Sequence, residues 1–250
     1  MIERLLRSPL ALAGAFVLCA LLGAGIFAAI QAALPGAGKA AQERVVHDYI
    51  VAHPDVLLDS VDAYHQKQQA AAAAQALAVV GPRVHTPFAG AWAGNPQGDV
   101  TVVAFMDYAC GYCRASLPAL AELLQRDPRV RVVYREIPVL GPDSVVAARW
   151  ALAAAEQGKF RPFHDALFAS DGPSAANIAR AAAAAGLDTA QAQAALKSKP
   201  VEDELGSNRE IAGQIGMSGT PTWVVGNQVL YGARDYASLS AAVAEARKGK

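Results

Sequence analysis

Hydrophobic residues dominate the start of the chain, where positions 9–34 contain no charged side chain. About 20 apolar residues in a helix span the hydrocarbon core of a bilayer, so this run can cross a membrane. Arg4 and Arg7 precede it and no comparable run follows, a pattern that predicts a cytoplasmic N-terminus and an exported remainder. We expect a single-pass inner-membrane anchor, because a signal-peptide core is shorter, at about 7–15 residues. A cleaved signal peptide, with small residues at 28–33 as cleavage sites, is the alternative.

Residues 40–80 have the pattern of an amphipathic helix. Apolar residues recur there at intervals of three, four and seven, at Val46, Ile50, Leu57, Val61 and Tyr64. Pro54 predicts a break into two helices, a flexible break is expected at 35–38, and Gly81-Pro82 ends the segment. The segment is too short for its own core, so its apolar stripe must pack on the main domain, the membrane surface or another copy. We expect self-association into a homo-oligomer through residues 40–80.

The remainder of the chain predicts an α/β layout with helices inserted in the middle. Apolar and alternating runs predict strands at 100–105 and 129–136, and a hairpin with strands at 222–225 and 228–231 around a two-residue turn. Helices are predicted at 143–157, capped by Asp143 or Ser144, in a block over 160–216, and at 235–248. Residues 85–98 are expected to be a turn-rich lead-in, in which Trp92 is a packing residue.

The chemistry of the chain centres on Cys110-Gly-Tyr-Cys113, which directly follows the first of these strands. A Cys-x-x-Cys pair at a strand-to-helix turn is typical of a thiol redox site. The first cysteine then lies at a helix N-terminus, where free backbone N–H groups and the helix dipole favour the thiolate. Cys113 follows on the same side of the first turn, within reach of a disulfide. Cys110 is therefore the expected nucleophile and Cys113 the resolving thiol.

Two other roles compete for this pair, a zinc site and inert core packing. Zinc needs two further ligands, but the only other cysteine, Cys19, lies in the apolar N-terminal run and is expected to be an ordinary membrane-helix residue. The histidines are scattered, at His47, His53, His65, His85 and His164. We therefore predict no metal site and a structural role for His164. A formal net charge of zero gives no electrostatic argument for nucleic-acid binding.

The chain resembles the DsbA-like thiol–disulfide oxidoreductases of the thioredoxin superfamily. The matching stretches are Gly94–Val100, Phe105–Cys113, Ile137–Ser144, Gly158–Phe160, Phe163–Phe168, Gly216–Thr222 and Gly232–Ala233. The helical segment is similar to the N-terminal region of the ScsC-like members, which mediates oligomerisation in that family. The expected organisation is a stub, anchor and linker at 1–37, an oligomerisation segment at 38–82, and a DsbA-like domain at 83–250.

This resemblance implies a thioredoxin fold with an all-helical insertion at about 143–216 and no cofactor. It also implies a cis Thr220-Pro221 peptide that faces the cysteines. Cys110 and Cys113 are then the catalytic residues and form the redox-active disulfide. The residues expected to shape the site and bind substrate backbone are Gly111, Tyr112, Thr220 and Pro221. The chain departs from the pattern at Ala104, where many relatives carry a buried acid, and the role of nearby Asp107 is left open.

The Gly111-Tyr112 dipeptide, together with Thr220 before the proline, is similar to disulfide isomerases of the DsbC kind. We therefore expect an oxidoreductase that isomerises or reduces disulfides of protein substrates, served by a membrane redox partner. A DsbA-type dithiol oxidase is the first alternative. A Cu(I)-handling thiol protein is the second, because adjacent thiolates suit a soft cation.

Overall fold

The structure is a computed structural model that describes residues 9–33 and 37–249. The chain divides into two compact units, residues 1–65 and 66–250. Arg4, Arg7 and residues 35–36 of the break expected at 35–38 lie outside the described residues, whereas residues 37–38 begin a helix. The last part of the helical segment expected at 38–82 belongs to the second unit, and the three predicted segment boundaries stay predictions.

The first unit is helical. Helix α1 (Pro9–Ala33) contains a stretch, Ala13–Ile30, that is long and apolar enough to cross a membrane, although a signal sequence would meet the same description. Helix α2 (Ala37–Ala52) and the first part of α3 (Asp55–Val80) follow. They are separated at His53-Pro54, which confirms the predicted break. Proline restricts the residue before it to extended conformations and lacks the N–H that a continuous helix would use.

In the described part of the second unit, five strands form one sheet in the order β1-β3-β2-β4-β5. They are β1 (Trp92–Gly94), β2 (Val100–Met106), β3 (Val130–Glu136), β4 (Thr222–Val225) and β5 (Gln228–Tyr231). Strands β2 and β3 are parallel and the other neighbours are antiparallel. The four predicted strands are present, so the redox motif follows the central strand of the sheet.

Strand β1 adds to the prediction for residues 85–98, where we expected a turn-rich lead-in and no strand was predicted. It pairs with β3 over three residues, from Trp92 opposite Val133 to Gly94 opposite Arg131. A three-residue strand is too short to show an alternating pattern, so its formation depends on the neighbouring strand. Trp92 packs against the core, as its predicted packing role requires.

Helices cover both faces of the sheet. The helices after the redox motif are α4 (Gly111–Arg126), α5 (Pro142–Glu156), α6 (Phe160–Phe168), α7 (Ala175–Ala184), α8 (Thr189–Ala195), α9 (Lys199–Gln214) and α10 (Tyr236–Lys248). The inserted helices α5–α9 lie between β3 and β4 in sequence, as expected of the insertion. Even-numbered residues of β2 and β3 pack with Leu120 of α4 and Phe163 of α6, so this face holds the cysteines.

The opposite face of the sheet is covered by the end of α3 and by α9. Leu77, Val80 and Val84 of α3 and the following 3-10 helix (Gly81–His85) pack with Phe105 of β2 and Ile211 of α9. The last turns of α3 are therefore part of the core of the second unit. A fragment that begins at residue 83 would uncover this apolar face.

The start of α5 differs from the prediction. Neither Asp143 nor Ser144 caps the helix; Gly141 occupies the cap position with a φ of 133°, and Pro142 begins the helix. Such a φ is open to glycine, and proline suits the first turn of a helix. The Ser144 hydroxyl instead donates a hydrogen bond of 2.7 Å to Asp107. The helix ends before Gly158, as predicted.

Leu77→Ala should destabilise the second unit by about 2–4 kcal/mol, because Leu77 is 8% exposed and its removal leaves a cavity over the sheet. Val79→Ala is the matched control: Val79 is 73% exposed and should change stability by less than about 0.5 kcal/mol. Urea unfolding followed by tryptophan fluorescence tests this, since Trp92, Trp150 and Trp223 all belong to the second unit. Equal effects of the two variants would show that α3 is not part of this core.

Candidate active site

The turn between β2 and α4 places Cys110 at the N-terminus of a helix. Cys110 is the N-cap of α4, and its Sγ accepts a hydrogen bond of 3.3 Å from the Cys113 backbone N–H. The Cys110 N–H donates to the Asp107 carbonyl at 3.0 Å, which closes the turn. A sulfur in this position receives a donor that the helix itself leaves free. The predicted strand, turn and helix around the motif are all present.

The two cysteines have different environments. Cys110 is 6% exposed and Cys113 is fully buried, and both are free thiols. Burial raises the pKa of Cys113 far above its ordinary value, although a hydrogen bond from the backbone of Asp107 opposes the rise. Cys113 therefore keeps its proton at neutral pH, and Cys110 is the sulfur that an incoming disulfide can reach.

The loop before β4 lies against Cys110. The Thr220-Pro221 peptide is cis, and the Cys110 thiol donates a hydrogen bond of 3.3 Å to the Thr220 carbonyl. The Thr222 hydroxyl donates to the Gly219 carbonyl at 2.7 Å, and the Gly232 N–H donates to the Pro221 carbonyl at 2.8 Å. The structure thus brings Thr220 to Cys110, as the resemblance implied. Gly111 and Tyr112 lie between the cysteines, and Tyr112 is 70% exposed.

The two remaining positions near the motif, Ala104 and Asp107, have distinct surroundings. Ala104 is fully buried in the middle of β2, so this position supplies no acid. Asp107 is also buried, and its carboxylate accepts hydrogen bonds from four donors. Its acceptor positions are filled, which identifies Asp107 as a residue that fixes local structure.

A buried polar cluster behind the cysteine turn was not predicted. The Tyr108 hydroxyl lies 3.2 Å from Glu136 Oε1 and 3.0 Å from His164 Nδ1. The second oxygen of Glu136 and Nε2 of His164 are buried and have no hydrogen-bond partner within residues 9–33 and 37–249. His164 contacts neither cysteine by a hydrogen bond among the described residues, which agrees with the structural role expected for it. Glu136 could have been found from β3, where the alternation assigns it to the buried even positions.

Burial shifts the proton equilibria of this cluster in opposite directions. It raises the pKa of Glu136 well above the ordinary value, which favours the protonated carboxyl. It lowers the pKa of His164 to about 3, with a further contribution from the Arg161 charge, so the imidazole is neutral. Burial thus favours the uncharged form of both groups, which is the form that an apolar site tolerates.

The described residues contain no group of three or more His, Cys, Asp or Glu side chains arranged to hold a metal ion. What the site presents is a pair of thiols at a helix N-terminus. A thiol pair of this kind exchanges disulfides, by attack of one sulfur and resolution by the other.

Comparison with protein families shows to which family the chain belongs. A family model for the DSBA-like thioredoxin domain matches residues 101–244, and one for the copper resistance protein ScsC N-terminal domain matches residues 39–71. The chain belongs to the DSBA-like thioredoxin family. It is a thiol–disulfide oxidoreductase with a Cys110–Cys113 pair and a ScsC-like N-terminal segment, as the resemblance indicated.

Solved structures agree with this assignment. A thioredoxin-like oxidoreductase from Silicibacter pomeroyi DSS-3 is 42% identical, with a TM-score of 0.61 over 63% of this chain and 91% of that one. A linker-deletion mutant of Proteus mirabilis ScsC, which also carries one substitution, is 25% identical, with a TM-score of 0.66 over 87% of this chain and 99% of that one. The second match extends over the N-terminal helices as well as the DSBA-like domain.

The curated relatives that match are larger proteins. The Na(+)/H(+) antiporter NhaA 3 of Salinispora tropica is 35% identical over 156 residues, which are 61% of this chain and 24% of the antiporter. The chain thus spans about a quarter of the length of the relative, and the likeness carries no argument for ion transport.

The shifted pKa values in the buried cluster predict how the stability of this DSBA-like domain changes in acid. The folded-state pKa of His164, about 3, lies below the ordinary value of 6.5, so its stabilising contribution is complete above pH 6.5 and is lost as the pH falls toward 3. We expect the loss to reach about 2–3 kcal/mol by pH 4.5, at 1.36 kcal/mol per pH unit. In His164→Gln this contribution is absent, so the difference in unfolding free energy between the parent protein and the variant should change by this amount between pH 6.5 and 4.5, as measured by urea unfolding at a series of pH values.

Glu136→Gln should change the pH dependence of the unfolding free energy in the opposite direction, in the same measurement. The folded-state pKa of Glu136 is raised, so its contribution is complete below the ordinary carboxyl pKa and is lost as the pH rises. The contributions of Glu136 and His164 to the pH dependence of the unfolding free energy therefore have opposite signs. Glu136→Gln should therefore make stability rise more steeply with pH, and His164→Gln should do the reverse. Identical pH profiles for the two variants and the parent protein would contradict this assignment of protons.

Proposed function

We propose that the chain is an exported, membrane-tethered thiol–disulfide oxidoreductase that isomerises or reduces disulfides in protein substrates. The observation that carries this proposal is the position of Cys110, at a helix N-terminus and 3.3 Å from the Thr220 carbonyl, with a buried thiol three residues later. In this proposal Cys110 is the nucleophile and Cys113 the resolving residue. Gly111, Tyr112, Thr220 and Pro221 shape the site and contact the substrate backbone.

The first step forms a mixed disulfide. The Cys110 thiolate attacks one sulfur of a substrate disulfide, a bond forms between Cys110 Sγ and that sulfur, and the substrate S–S bond breaks. The electron pair leaves with the second substrate sulfur as a thiolate. Backbone groups at Thr220 lie beside the new bond, where they can pair with an extended substrate strand.

The mixed disulfide has two ways to resolve. In isomerisation, another substrate thiolate attacks the mixed disulfide and releases Cys110 as a thiolate, with no net change in oxidation state. In reduction, Cys113 loses its proton and attacks Cys110 Sγ, which releases a reduced substrate and leaves a Cys110–Cys113 disulfide. A membrane redox partner then returns two electrons. The retained proton on buried Cys113 disfavours the second route and so gives a substrate thiol time to react.

The first unit supports assembly into a homo-oligomer. Its helices α2 and α3 expose a series of large hydrophobic side chains, at Val45, Val46, Tyr49, Ile50, Val51, Leu57, Leu58, Val61 and Tyr64. Apolar surfaces of this extent mark interaction sites. We propose that a second copy of the chain covers this surface, and the ScsC-like match over residues 39–71 supports that choice. Several active sites would then act on one misfolded substrate.

Helix α1 supports a location of the DSBA-like domain outside the cytoplasm. This holds whether the helix is a single-pass anchor or a cleaved signal. We propose the anchor, with the DSBA-like domain in the periplasm. A Cu(I) role is a second candidate, because the matched N-terminal family is named for copper resistance and two adjacent thiols suit Cu(I).

Reactivation of a disulfide-scrambled protein by the full chain in detergent tests the proposal. The parent protein should restore activity to the scrambled substrate. Val46→Asp combined with Leu57→Asp should lower the mass of the assembly, because it introduces charge into an apolar contact, and should reduce reactivation by about tenfold. The double variant should still reduce a small disulfide. Mass is measured by light scattering, and both rates are measured on the same samples.

Gln42→Asp combined with Gln68→Asp is the matched control, since it adds the same charge at exposed polar positions of α2 and α3. Full reactivation by the dissociated Val46→Asp, Leu57→Asp variant would overturn the role of assembly. Failure of the parent protein to reactivate, with oxidation of a reduced substrate instead, would identify a dithiol oxidase. Stoichiometric Cu(I) binding by the reduced chain, lost in Cys110→Ser, together with no exchange activity, would favour the copper role.

A further inference from the structure

Two distant segments meet at the thiol site, and a short loop is bonded to both of them. Cys110 and the first turn of α4 form one segment, and the loop that contains Thr220-Pro221 forms the other. The short loop, residues 232–234, follows β5 and precedes α10. Because the two segments are far apart in sequence, hydrogen bonds that run through residues 232–234 can fix their relative position.

The start of the short loop is bonded to the segment that contains Thr220-Pro221. The Gly232 N–H donates a hydrogen bond of 2.8 Å to the Pro221 carbonyl, and the Gly232 carbonyl accepts one of 3.0 Å from Nε1 of buried Trp223. Gly232 has a φ of 81°, in the left-handed region that favours glycine. Both main-chain groups of Gly232 are thus bonded to residues 221–223, so a displacement of the loop is passed on to Thr220-Pro221.

The end of the short loop is bonded to α4 through Ser116. This serine is 1% exposed and lies one helical turn after Tyr112. Its hydroxyl donates a hydrogen bond of 2.9 Å to the Tyr112 carbonyl and accepts one of 3.4 Å from the Arg234 N–H. A serine hydroxyl can make both bonds at once, because it has one donor and two acceptor positions. Ser116 therefore joins the turn that carries the cysteines to the loop that holds Pro221.

The position of Thr220 relative to Cys110 matters because a thiolate attacks a disulfide in line with its S–S bond. Cys110 Sγ forms a bond to one substrate sulfur while the bond to the second sulfur breaks, and the electron pair leaves with that second sulfur. When a substrate strand pairs with the backbone at Thr220, that segment places the substrate disulfide. A displacement of about 1 Å at such a site can lower a rate by about a hundredfold.

We propose that Ser116 is a positioning residue for thiol–disulfide exchange, which holds the Thr220-Pro221 segment at the distance from Cys110 that a peptide disulfide needs. The inference rests on the substrate contact at Thr220 that is part of the proposed function. Ser116 acts through Arg234 and Gly232 and not by contact with the substrate. Its effect is therefore confined to substrates whose main chain pairs with Thr220, and a disulfide without peptide groups is insensitive to it.

Two disulfides separate this role from thiol chemistry in the full chain. One is an extended, disulfide-bridged peptide with a fluorophore and a quencher on its two halves, and the other is dithiobis(nitrobenzoate), which has no peptide group. Ser116→Ala should lower the rate constant for the first exchange step with the peptide by about five- to tenfold, the range expected for loss of one buried hydrogen bond. The rate with dithiobis(nitrobenzoate) should stay within about twofold. Stopped-flow single turnovers of the reduced protein measure both rates.

Ser170→Ala is the matched control, because the Ser170 hydroxyl also donates to a main-chain carbonyl, that of Leu167 at 2.7 Å. It should change neither rate. Amide hydrogen exchange followed by NMR reports on the bond itself. The Arg234 N–H should exchange at least about tenfold faster in Ser116→Ala than in the parent protein, because its acceptor is gone, and at the parent rate in Ser170→Ala.

An unchanged rate with the bridged peptide in Ser116→Ala would overturn the proposal, whether the enzyme isomerises, reduces or oxidises disulfides. An equal loss with both disulfides would also overturn it, since Ser116 would then act on the thiols or on the fold. Unchanged exchange at the Arg234 N–H would show that Ser116 does not hold the loop. A parent protein that reacts with dithiobis(nitrobenzoate) but not with the peptide would instead refute the proposed substrate contact at Thr220, and one that reacts with neither would refute the proposed function.

Discussion

The N-terminus of α4 holds the sulfur of Cys110 between two backbone groups, the Cys113 N–H that donates to it and the Thr220 carbonyl to which it donates, each at 3.3 Å. Of these two contacts, the one with Thr220 joins distant parts of the chain and the one with Cys113 is local. The helix must start directly after the central strand, and the loop before β4 must return to the same point. The sheet order, in which β2 lies between β3 and β4, brings these two segments together. The inserted helices α5–α9 extend the chain between β3 and β4 without disturbing that meeting point.

Buried polar groups surround this arrangement at the end of the sheet where the cysteines lie. Asp107 is satisfied by four donors, whereas Glu136 and His164 share the Tyr108 hydroxyl and each leave one atom without a partner. Buried polar groups cost free energy unless they are paired. The grouping of several such residues behind the cysteine turn therefore indicates a role in the site rather than in stability alone.

Local signals in the sequence were enough to predict the elements that build the site. The break at His53-Pro54, the hairpin around 226–227 and the Cys110 turn each depend on residues that are neighbours in sequence. The features that were missed depend on distant contacts. Tyr108 meets Glu136 across 28 positions, and Ser144 bonds to Asp107 across 37 positions rather than capping α5. Helical periodicity showed that α3 is amphipathic, but it could not show that Leu77 completes the core of the second unit.

Trapping of the mixed disulfide in the full chain tests the central claim, that Cys110 attacks and Cys113 resolves. Cys113→Ser and Cys110→Ser variants are each incubated with a scrambled protein, quenched by alkylation, and analysed by non-reducing electrophoresis and mass spectrometry. The structure predicts a stable adduct through Cys110 in Cys113→Ser and none in Cys110→Ser, because Cys113 is fully buried. An adduct through Cys113 in the Cys110→Ser variant, or none in either, would contradict the assignment.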